Sequence, residues 1–182
     1  MNIIVAVTGA SGAIYARQTL EILCANSDVE RIALIVSDNG HKVLSAEGER
    51  LPHDERIECY DNDNMWASVA SGSARWDAMI IVPASMGSIG RIANGISQTL
   101  IERAADVMLK ERRRLIAVVR ETPLSLIHLR NMTQLTEAGA IIVPAAPSFY
   151  FRSDSIEELC LSVSSRAVEL CGINVAHRSW GE

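Results

Sequence analysis

The stretch Ile-Ile-Val-Ala-Val-Thr-Gly-Ala-Ser-Gly at residues 3–12 decides the fold. Residues 3–8 are a short apolar, β-branched run, which is typical of a parallel strand that is buried on both faces. Residues 8–12 are a glycine-rich turn that can lead directly into a helix. Similar apolar runs, separated by segments with helical spacing, recur at residues 31–36, 78–82, 115–119 and 140–143. Alternating strands and helices predict a doubly wound α/β fold with a parallel sheet.

Length and composition restrict the class of protein. The 182 residues are enough for one core, so we expect a single domain over residues 1–182. There are 17 Lys and Arg against 22 Asp and Glu, and the net charge of −5 argues against nucleic acid as the main partner. No apolar run approaches the ~18 residues of a membrane span, and no signal pattern is present, which predicts a cytoplasmic protein without a membrane span. The four cysteines and four histidines lack metal-ligand spacing, so we expect no metal.

Three loops should meet at the ligand-binding edge of this sheet, beyond the carboxyl ends of the strands. The turn at residues 8–12 offers glycines and the N–H groups of the next helix, which suit a phosphate or the edge of a flavin ring. Residues 85–88, Ser-Met-Gly-Ser, follow the third apolar run and form a second candidate anion site at a helix start. Arg120 and Glu121 follow the fourth run and could bind phosphate and move a proton. Helix capping, tight packing and a surface ion pair remain the structural alternatives.

Other segments carry weaker indications. Asp38 follows the second run, where a nicotinamide-dependent enzyme often places a ribose-binding carboxylate, although the full glycine fingerprint is absent. Residues 49–73 are polar and irregular, which favours a long loop over a site. Tyr150 ends a proline-rich turn after the fifth run and presents a hydroxyl group.

Two predicted helices carry cations of interest, although ordinary solvated surface charge remains the alternative for the two on the earlier helix. In a helix over residues 98–110, Arg103 and Lys110 are seven residues apart and share one face, near the second anion site if the helix follows it. In the last helix, Arg166 falls within the apolar stripe that begins at Ile156, about 20° around the helix from Leu159. A buried guanidinium needs an anion or a subunit interface, so we expect Arg166 to reach one of these.

The order and spacing of several short segments resemble the UbiX-type flavin prenyltransferases over nearly the whole chain. The segments are residues 9–13, 71–73, 83–85, 102–107, 109–113, 120–124, 128–132, 144–150 and 180–182. The resemblance implies a Rossmann-like subunit, commonly assembled as a homododecamer, that binds FMN and dimethylallyl phosphate. It implies transfer of the dimethylallyl group to N5 and C6 of reduced FMN without a metal, which supplies prenylated FMN to a UbiD-type decarboxylase.

The resemblance also implies roles for individual residues. The positions that match FMN contacts are Gly9, Ala10, Ser11, Ser37, Ser85, Met86, Gly87, Ser88 and Arg120. The positions that match the prenyl phosphate site and its surroundings are Arg103, Lys110, Tyr150 and Arg166. The positions that match catalytic groups are Ser11, Glu47, Lys110 and Glu121. Glu121 or the departed phosphate would take the C6 proton, and Trp66 and Trp180 are candidates for aromatic contacts to an allylic cation. In this family the site is shared between subunits.

Two alternatives stay open at this point. An FMN-dependent cysteine decarboxylase shares the fold, but its Pro-x-Met-Asn motif and catalytic histidine are not found in this sequence. A flavin-binding accessory subunit without turnover of its own is the other alternative. The resemblance does not distinguish a monophosphate from a diphosphate donor.

Overall fold

A computed structural model describes residues 1–150 and 152–175. Within these residues, six strands form one parallel sheet in the order β3-β2-β1-β4-β5-β6. The strands are β1 Asn2–Val7, β2 Arg31–Val36, β3 Ile57–Tyr60, β4 Ala78–Ala84, β5 Arg114–Val119 and β6 Ile141–Pro144. The same part of the chain contains a 3-10 helix, Ser68–Ala70, and the helices α1 Ala13–Ala25, α2 Asp38–Glu47, α3 Met86–Ala93, α4 Leu100–Lys110, α5 Leu126–Glu137 and α6 Ile156–Leu170.

Both faces of the sheet are buried, because successive side chains of each strand point in opposite directions. Ile3 and Val5 on β1 belong to a core formed with α1 and α6. Ile4 and Ala6 on the same strand belong to a second core, formed with α3 and α4. The helices therefore cover the sheet from both sides, and the predicted doubly wound, Rossmann-like α/β fold is confirmed.

The segment 49–73 is not one long loop, so that prediction is wrong. It contains the edge strand β3, which pairs only with β2, and the 3-10 helix Ser68–Ala70. Strand β3 has four residues and none of them is fully buried, so its sequence lacks the continuous apolar run of the inner strands. An edge strand with this pattern is difficult to recognise from sequence.

Several predicted boundaries also shift. Strand β4 continues to Ala84, and β6 spans Ile141–Pro144 instead of residues 140–143. Helix α4 begins at Leu100 and not at residue 98, because the Thr99 side chain accepts the Glu102 N–H and caps the helix. No helix in the described part of the chain is long and apolar enough to cross a membrane.

Arg166 does not lie in the buried stripe of α6, which corrects the sequence prediction. The buried face of α6 includes Cys160, Val163 and Ala167, and it packs against α1. The Arg166 side chain is 61% exposed, and its Nη1 lies 3.2 Å from Glu169 Oε2. Leu159, from which the stripe was measured, is itself only half-buried, so Arg166 lies at the margin of the face.

The order in which the chain adds strands to the sheet changes direction between β1 and β4. Strands β2 and β3 follow β1 on one side, and β5 and β6 follow β4 on the other. The chain leaves β1 toward α1 on one face of the sheet and leaves β4 toward α3 on the other. The two loops diverge there and open a crevice at the carboxyl edge, which is where open α/β sheets bind ligands. The described strands form one sheet, and the described helices pack on its two faces; a domain covering 1–182 stays a prediction.

Candidate functional site

A cleft of about 340 Å³ opens at the point where the β1 and β4 loops diverge. It is lined by Gly9, Ser37, Asp38, Asn39, Asn62, Ser85, Gly87, Ser88, Arg91, Thr99, Ile101 and Glu102. A second cleft of about 410 Å³ shares Asp38, Asn62 and Thr99 with the first. Together the two offer space in the range of small-molecule and cofactor sites.

Thr8 fixes the two loops against each other. Its hydroxyl donates to the Pro83 carbonyl at 2.7 Å and accepts the Ser85 N–H at 2.8 Å. The Thr8 residue is only 2% exposed, so these bonds are shielded from water. The start of α3 is thereby held at a defined distance from the β1 turn.

The start of α3 can accept an anion. Ser85 caps the helix, and its Oγ accepts the Ser88 N–H at 3.3 Å. Among the hydrogen bonds of the described residues, none provides an acceptor for the N–H groups of Met86 and Gly87. Unpaired N–H groups at the positive end of a helix, beside two serine hydroxyls, match the needs of a phosphate.

The start of α2 forms the opposite wall and has a different character. Ser37 caps α2 and accepts the Gly40 N–H at 3.0 Å, but Asp38 places a carboxylate in the first turn. This negative charge disfavours a second anion there and suits the hydroxyls of a ligand. Gly9 is required for packing here, because a Cβ at this position would lie 2.5 Å from Asn39 Cβ.

The start of α1 is already occupied by a side chain, which contradicts the phosphate alternative predicted for the turn at residues 8–12 and leaves the alternative of a flavin ring edge. Glu47 accepts the Gly12 N–H at 3.0 Å and the Ala13 N–H at 2.7 Å. Burial raises the pKa of Glu47, but hydrogen bonds from Ser11, Ala13 and Gly12 and the nearby Arg120 charge outweigh it and hold the pKa below its usual value. A second anion would have to displace this carboxylate.

Arg120 links the end of β5 to the turn at residues 8–12. The sequence predicts that Arg120 lies at this edge of the sheet. Its Nε donates to the Ser11 carbonyl at 2.9 Å. Its neighbour Glu121 is exposed, and its Oε1 accepts the Thr122 N–H at 3.0 Å. The structure thus brings Ser11, Glu47 and Arg120 together beside the cleft.

The start of α4 is also satisfied internally. The Asn62 carbonyl accepts the Leu100 N–H at 2.7 Å, and its Oδ1 accepts the Ile101 N–H at 3.1 Å. Glu102 Oε2 accepts the N–H groups of Gln98 and Thr99, which closes a capping box. Burial raises the pKa of Glu102, but the Arg91 guanidinium and these N–H groups hold it below its usual value.

Two predicted substrate residues on α4 do not line the cleft of their own chain. Lys110 pairs with Glu111 at the far end of α4, roughly 14 Å along the helix from Ile101 at 1.5 Å per residue. Arg103 donates to the Ala70 carbonyl at 3.1 Å and pairs with Asp106, so it ties α4 to the 3-10 helix.

Two further predicted residues also lie outside the cleft lining. Arg166 lies ten residues into α6, whose end contacts Arg114 at the amino edge of the sheet through the Cys171 carbonyl. Tyr150 is 72% exposed. Among the described residues, the structure therefore gathers the predicted FMN positions but separates Lys110 and Arg166 from them within one chain.

Ala10 and Met86 are buried beside the cleft and do not line it through their side chains. Trp66 is 98% exposed, and Trp180 lies outside the described residues. Among the described residues, no group of three or more His, Cys, Asp or Glu side chains could hold a metal ion.

Several residues of the cleft lining were not predicted from the sequence: Asn39, Asn62, Arg91, Thr99, Ile101 and Glu102. One local pattern was available, because Thr99 and Glu102 have the spacing of a capping box. Asn62 gave no such indication, since it reaches the cleft only through its contact with the start of α4. Arg91 lies four residues after Gly87 on α3, and this helical spacing could have indicated that the two share a face.

Comparison with known proteins supports this picture. The sequence model of the Flavoprotein family matches residues 1–162. The flavin prenyltransferase UbiX of Methanocaldococcus jannaschii is 40% identical over 188 residues, which cover 100% of this chain and 99% of that protein.

Two solved structures are also similar over almost their full lengths. The structure of AnUbiX with FMN and dimethylallyl pyrophosphate has a TM-score of 0.89 and 40% identity, covering 98% of each chain. A dodecameric, FMN-dependent UbiX-like decarboxylase from Escherichia coli O157:H7 has a TM-score of 0.92 and 33% identity, covering 100% of each chain. The cleft lies at the edge of the sheet where flavin-binding α/β proteins hold their ligand. The family match and the full-length identity show that the chain belongs to the UbiX-type flavin prenyltransferases.

Proposed function

We propose that this protein transfers a dimethylallyl group from dimethylallyl phosphate to N5 and C6 of reduced FMN, as a prenyltransferase. The observation that carries this proposal is the full-length similarity to AnUbiX, whose structure holds FMN and dimethylallyl pyrophosphate. The cleft supports it, because the open N–H groups of Met86 and Gly87 stand beside the hydroxyls of Ser85 and Ser88. These groups fit the phosphate of FMN.

The geometry of the cleft supports the other proposed FMN contacts. Ser37 and Gly9 line the wall opposite Ser85, and Ser11 and Arg120 lie at its edge through their mutual hydrogen bond. We assign Gly9, Ala10, Ser11, Ser37, residues 85–88 and Arg120 to FMN. Reduced FMN supplies the nucleophilic N5 and C6 atoms that receive the five-carbon unit.

The prenyl phosphate site requires more than one subunit. Lys110 lies roughly 12 Å along α4 from Glu102, the nearest α4 residue of the cleft lining, and Arg166 lies toward the amino edge of the sheet. We propose that neighbouring copies supply Lys110 and Arg166 to each cleft in a homododecamer. Exposed apolar side chains that can form such contacts include Leu126, Ile127, Phe149 and Ile156.

In the assembled site the cations and Tyr150 stabilise the negative charge that grows on the leaving phosphate. Lys110, Arg120 and Arg166 are the cations, and no metal is needed for this task. Arg103 lies on the same helix as Lys110, and we assign it to the surroundings of the prenyl phosphate site. The charges act most strongly where water is excluded, as at a subunit interface.

Proton transfer is assigned to the group at the end of β5. Glu121 takes the proton that leaves C6 of the flavin, acting as a general base. We assign Ser11 to the flavin edge that carries N5. Glu47 orients Ser11 by accepting hydrogen bonds from its hydroxyl and from the N–H groups at the start of α1. We further propose that the protein is cytoplasmic and that its product, prenylated FMN, is passed to a UbiD-type decarboxylase.

The test is anaerobic incubation of the purified protein with reduced FMN and dimethylallyl phosphate, followed by mass spectrometry of the released flavin. We expect a flavin that is heavier by one five-carbon unit, and parallel samples with the diphosphate identify the preferred donor. The matched variant Tyr150→Phe should yield less prenylated flavin than the wild type under the same conditions. Bound but unmodified flavin would contradict the proposal and favour an accessory flavin carrier. Release of CO₂ from an aromatic acid or a cysteine substrate would favour a decarboxylase.

A further inference from the structure

Arg91 stands beside the anion site at the start of α3. It lies one helical turn after Gly87, and its Nη1 is 3.4 Å from the point where a Cβ on Gly87 would lie. Gly87 is one of the two residues whose N–H groups have no acceptor among the described hydrogen bonds. The guanidinium and the unpaired N–H groups therefore face the same part of the cleft.

A buried carboxylate holds Arg91 in this position. Glu102 is only 2% exposed, and its Oε1 accepts a hydrogen bond from Arg91 Nε. Its other oxygen accepts the N–H groups of Gln98 at 2.9 Å and Thr99 at 3.1 Å, so the carboxylate is fixed to the first turn of α4. The Arg91 side chain remains 45% exposed. Nε is engaged, and no hydrogen bond within residues 1–150 and 152–175 engages the two terminal nitrogens, which can therefore donate to a ligand.

The charges of the cleft point to one occupant for these nitrogens. Among the described residues of the lining, Arg91 is the basic one, and the acidic ones are Asp38 on the α2 wall and Glu102. The Glu102 oxygens are already engaged by Arg91 Nε and by two backbone N–H groups, whereas the Asp38 carboxylate belongs to the first turn of α2. A dianionic phosphate is therefore drawn to the α3 side, where it meets the open N–H groups and a planar guanidinium.

We propose that Arg91 donates hydrogen bonds to the phosphate of the bound flavin, and that Glu102 is the residue that positions it. The proposal rests on the proposed function, since it takes FMN as the ligand of this cleft. It adds a specificity-determining residue that discriminates FMN from riboflavin, which lacks the phosphate.

The experiment compares FMN and riboflavin affinities, measured by flavin fluorescence titration of the full chain at fixed ionic strength. We expect Arg91→Gln to weaken FMN binding about tenfold and riboflavin binding less than about twofold, because a charge-assisted bond to phosphate is lost while the ring contacts remain. Arg50→Gln, which removes an exposed arginine outside the cleft lining, is the matched control and should leave both affinities unchanged.

A second variant guards against a folding defect, because Arg91→Gln leaves Glu102 buried without its cation. The double variant Arg91→Gln with Glu102→Gln removes that charge and keeps a capping-box residue at position 102. It should lose FMN affinity as the single variant does and retain riboflavin binding. Unchanged FMN affinity in both variants, or equal losses for FMN and riboflavin, would overturn the role of Arg91. A wild-type protein that binds neither flavin would overturn the proposed function itself, and Arg91's role with it.

Discussion

Replacing Thr8 with valine removes the hydroxyl that joins the two loops of the cleft. Valine keeps the shape of threonine, so the change isolates the hydrogen bonds. The Thr8 hydroxyl is the acceptor for the Ser85 N–H at 2.8 Å. The Pro83 carbonyl loses less, because it also accepts the Thr8 backbone N–H at 3.3 Å.

The expected cost follows from this accounting. One N–H group in a shielded position loses its acceptor, which costs ~1–3 kcal/mol, so we expect Thr8→Val to lower the free energy of unfolding by about 2 kcal/mol. For a chain of this size, this corresponds to a fall in melting temperature of roughly 4–8 °C. Thr8→Ser keeps the hydroxyl and loses one buried methyl group, which costs only about 1 kcal/mol.

The assay is thermal unfolding of the three proteins at equal concentration, because assembly makes the melting temperature depend on concentration. We expect the order wild type, Thr8→Ser, Thr8→Val from most to least stable. If apolar burial alone governed this position, valine would be at least as stable as threonine and serine would be the least stable. Observation of that reversed order would refute the reasoning.

Three further predictions concern the proposed catalytic groups. Glu47→Gln should lower stability at pH 7 by about 1 kcal/mol, since Glu47 holds the start of α1. Because the folded-state pKa of Glu47 is below its unfolded value, its contribution is present above the unfolded pKa and is lost as the pH falls through the folded pKa. Unfolding curves from pH 7 to 3 should show the gap to wild type closing, and a constant gap would contradict this. Tyr150→Phe and Arg166→Ala should raise the KM for dimethylallyl phosphate about tenfold and leave the FMN Kd unchanged; loss of FMN instead would remove them from the prenyl phosphate site. Glu121→Gln should slow prenylation about a hundredfold without affecting assembly, as single-turnover kinetics and size-exclusion chromatography would measure; wild-type turnover would exclude it from the mechanism.

The inner strands could be predicted because their side chains are buried on both faces and therefore form unbroken apolar runs. Strand β3 could not, because an edge strand with one exposed side mixes Glu58 and Cys59 with apolar residues. Arg166 was misplaced for a related reason. Helical periodicity gives the direction of a side chain only to within a fraction of a turn. Across that fraction, burial on α6 changes from the buried Ala167 to the exposed Arg166.

The candidate site divides in the same way. Residues that follow a strand directly, such as Ser37 and Ser85, could be predicted, because parallel strands bring their carboxyl ends to one edge. Asn62 could not, since its place in the cleft depends on its hydrogen bond to the start of α4. Arg91 shares a helical face with Gly87, but its contact with Glu102 depends on the packing of α3 against α4.

The sequence by itself determined the parallel sheet, the two small-residue loops after β1 and β4, and the family resemblance, because these depend on local patterns and their order. Only the tertiary structure decided which helix start is open to an anion. The starts of α1 and α3 both follow glycine- or serine-containing loops, yet Glu47 fills the first, and the Met86 and Gly87 N–H groups leave the second open. Glu47 lies 35 residues from Gly12 in sequence, and such a long-range contact is set by the packing of α2 against α1, which no local pattern encodes.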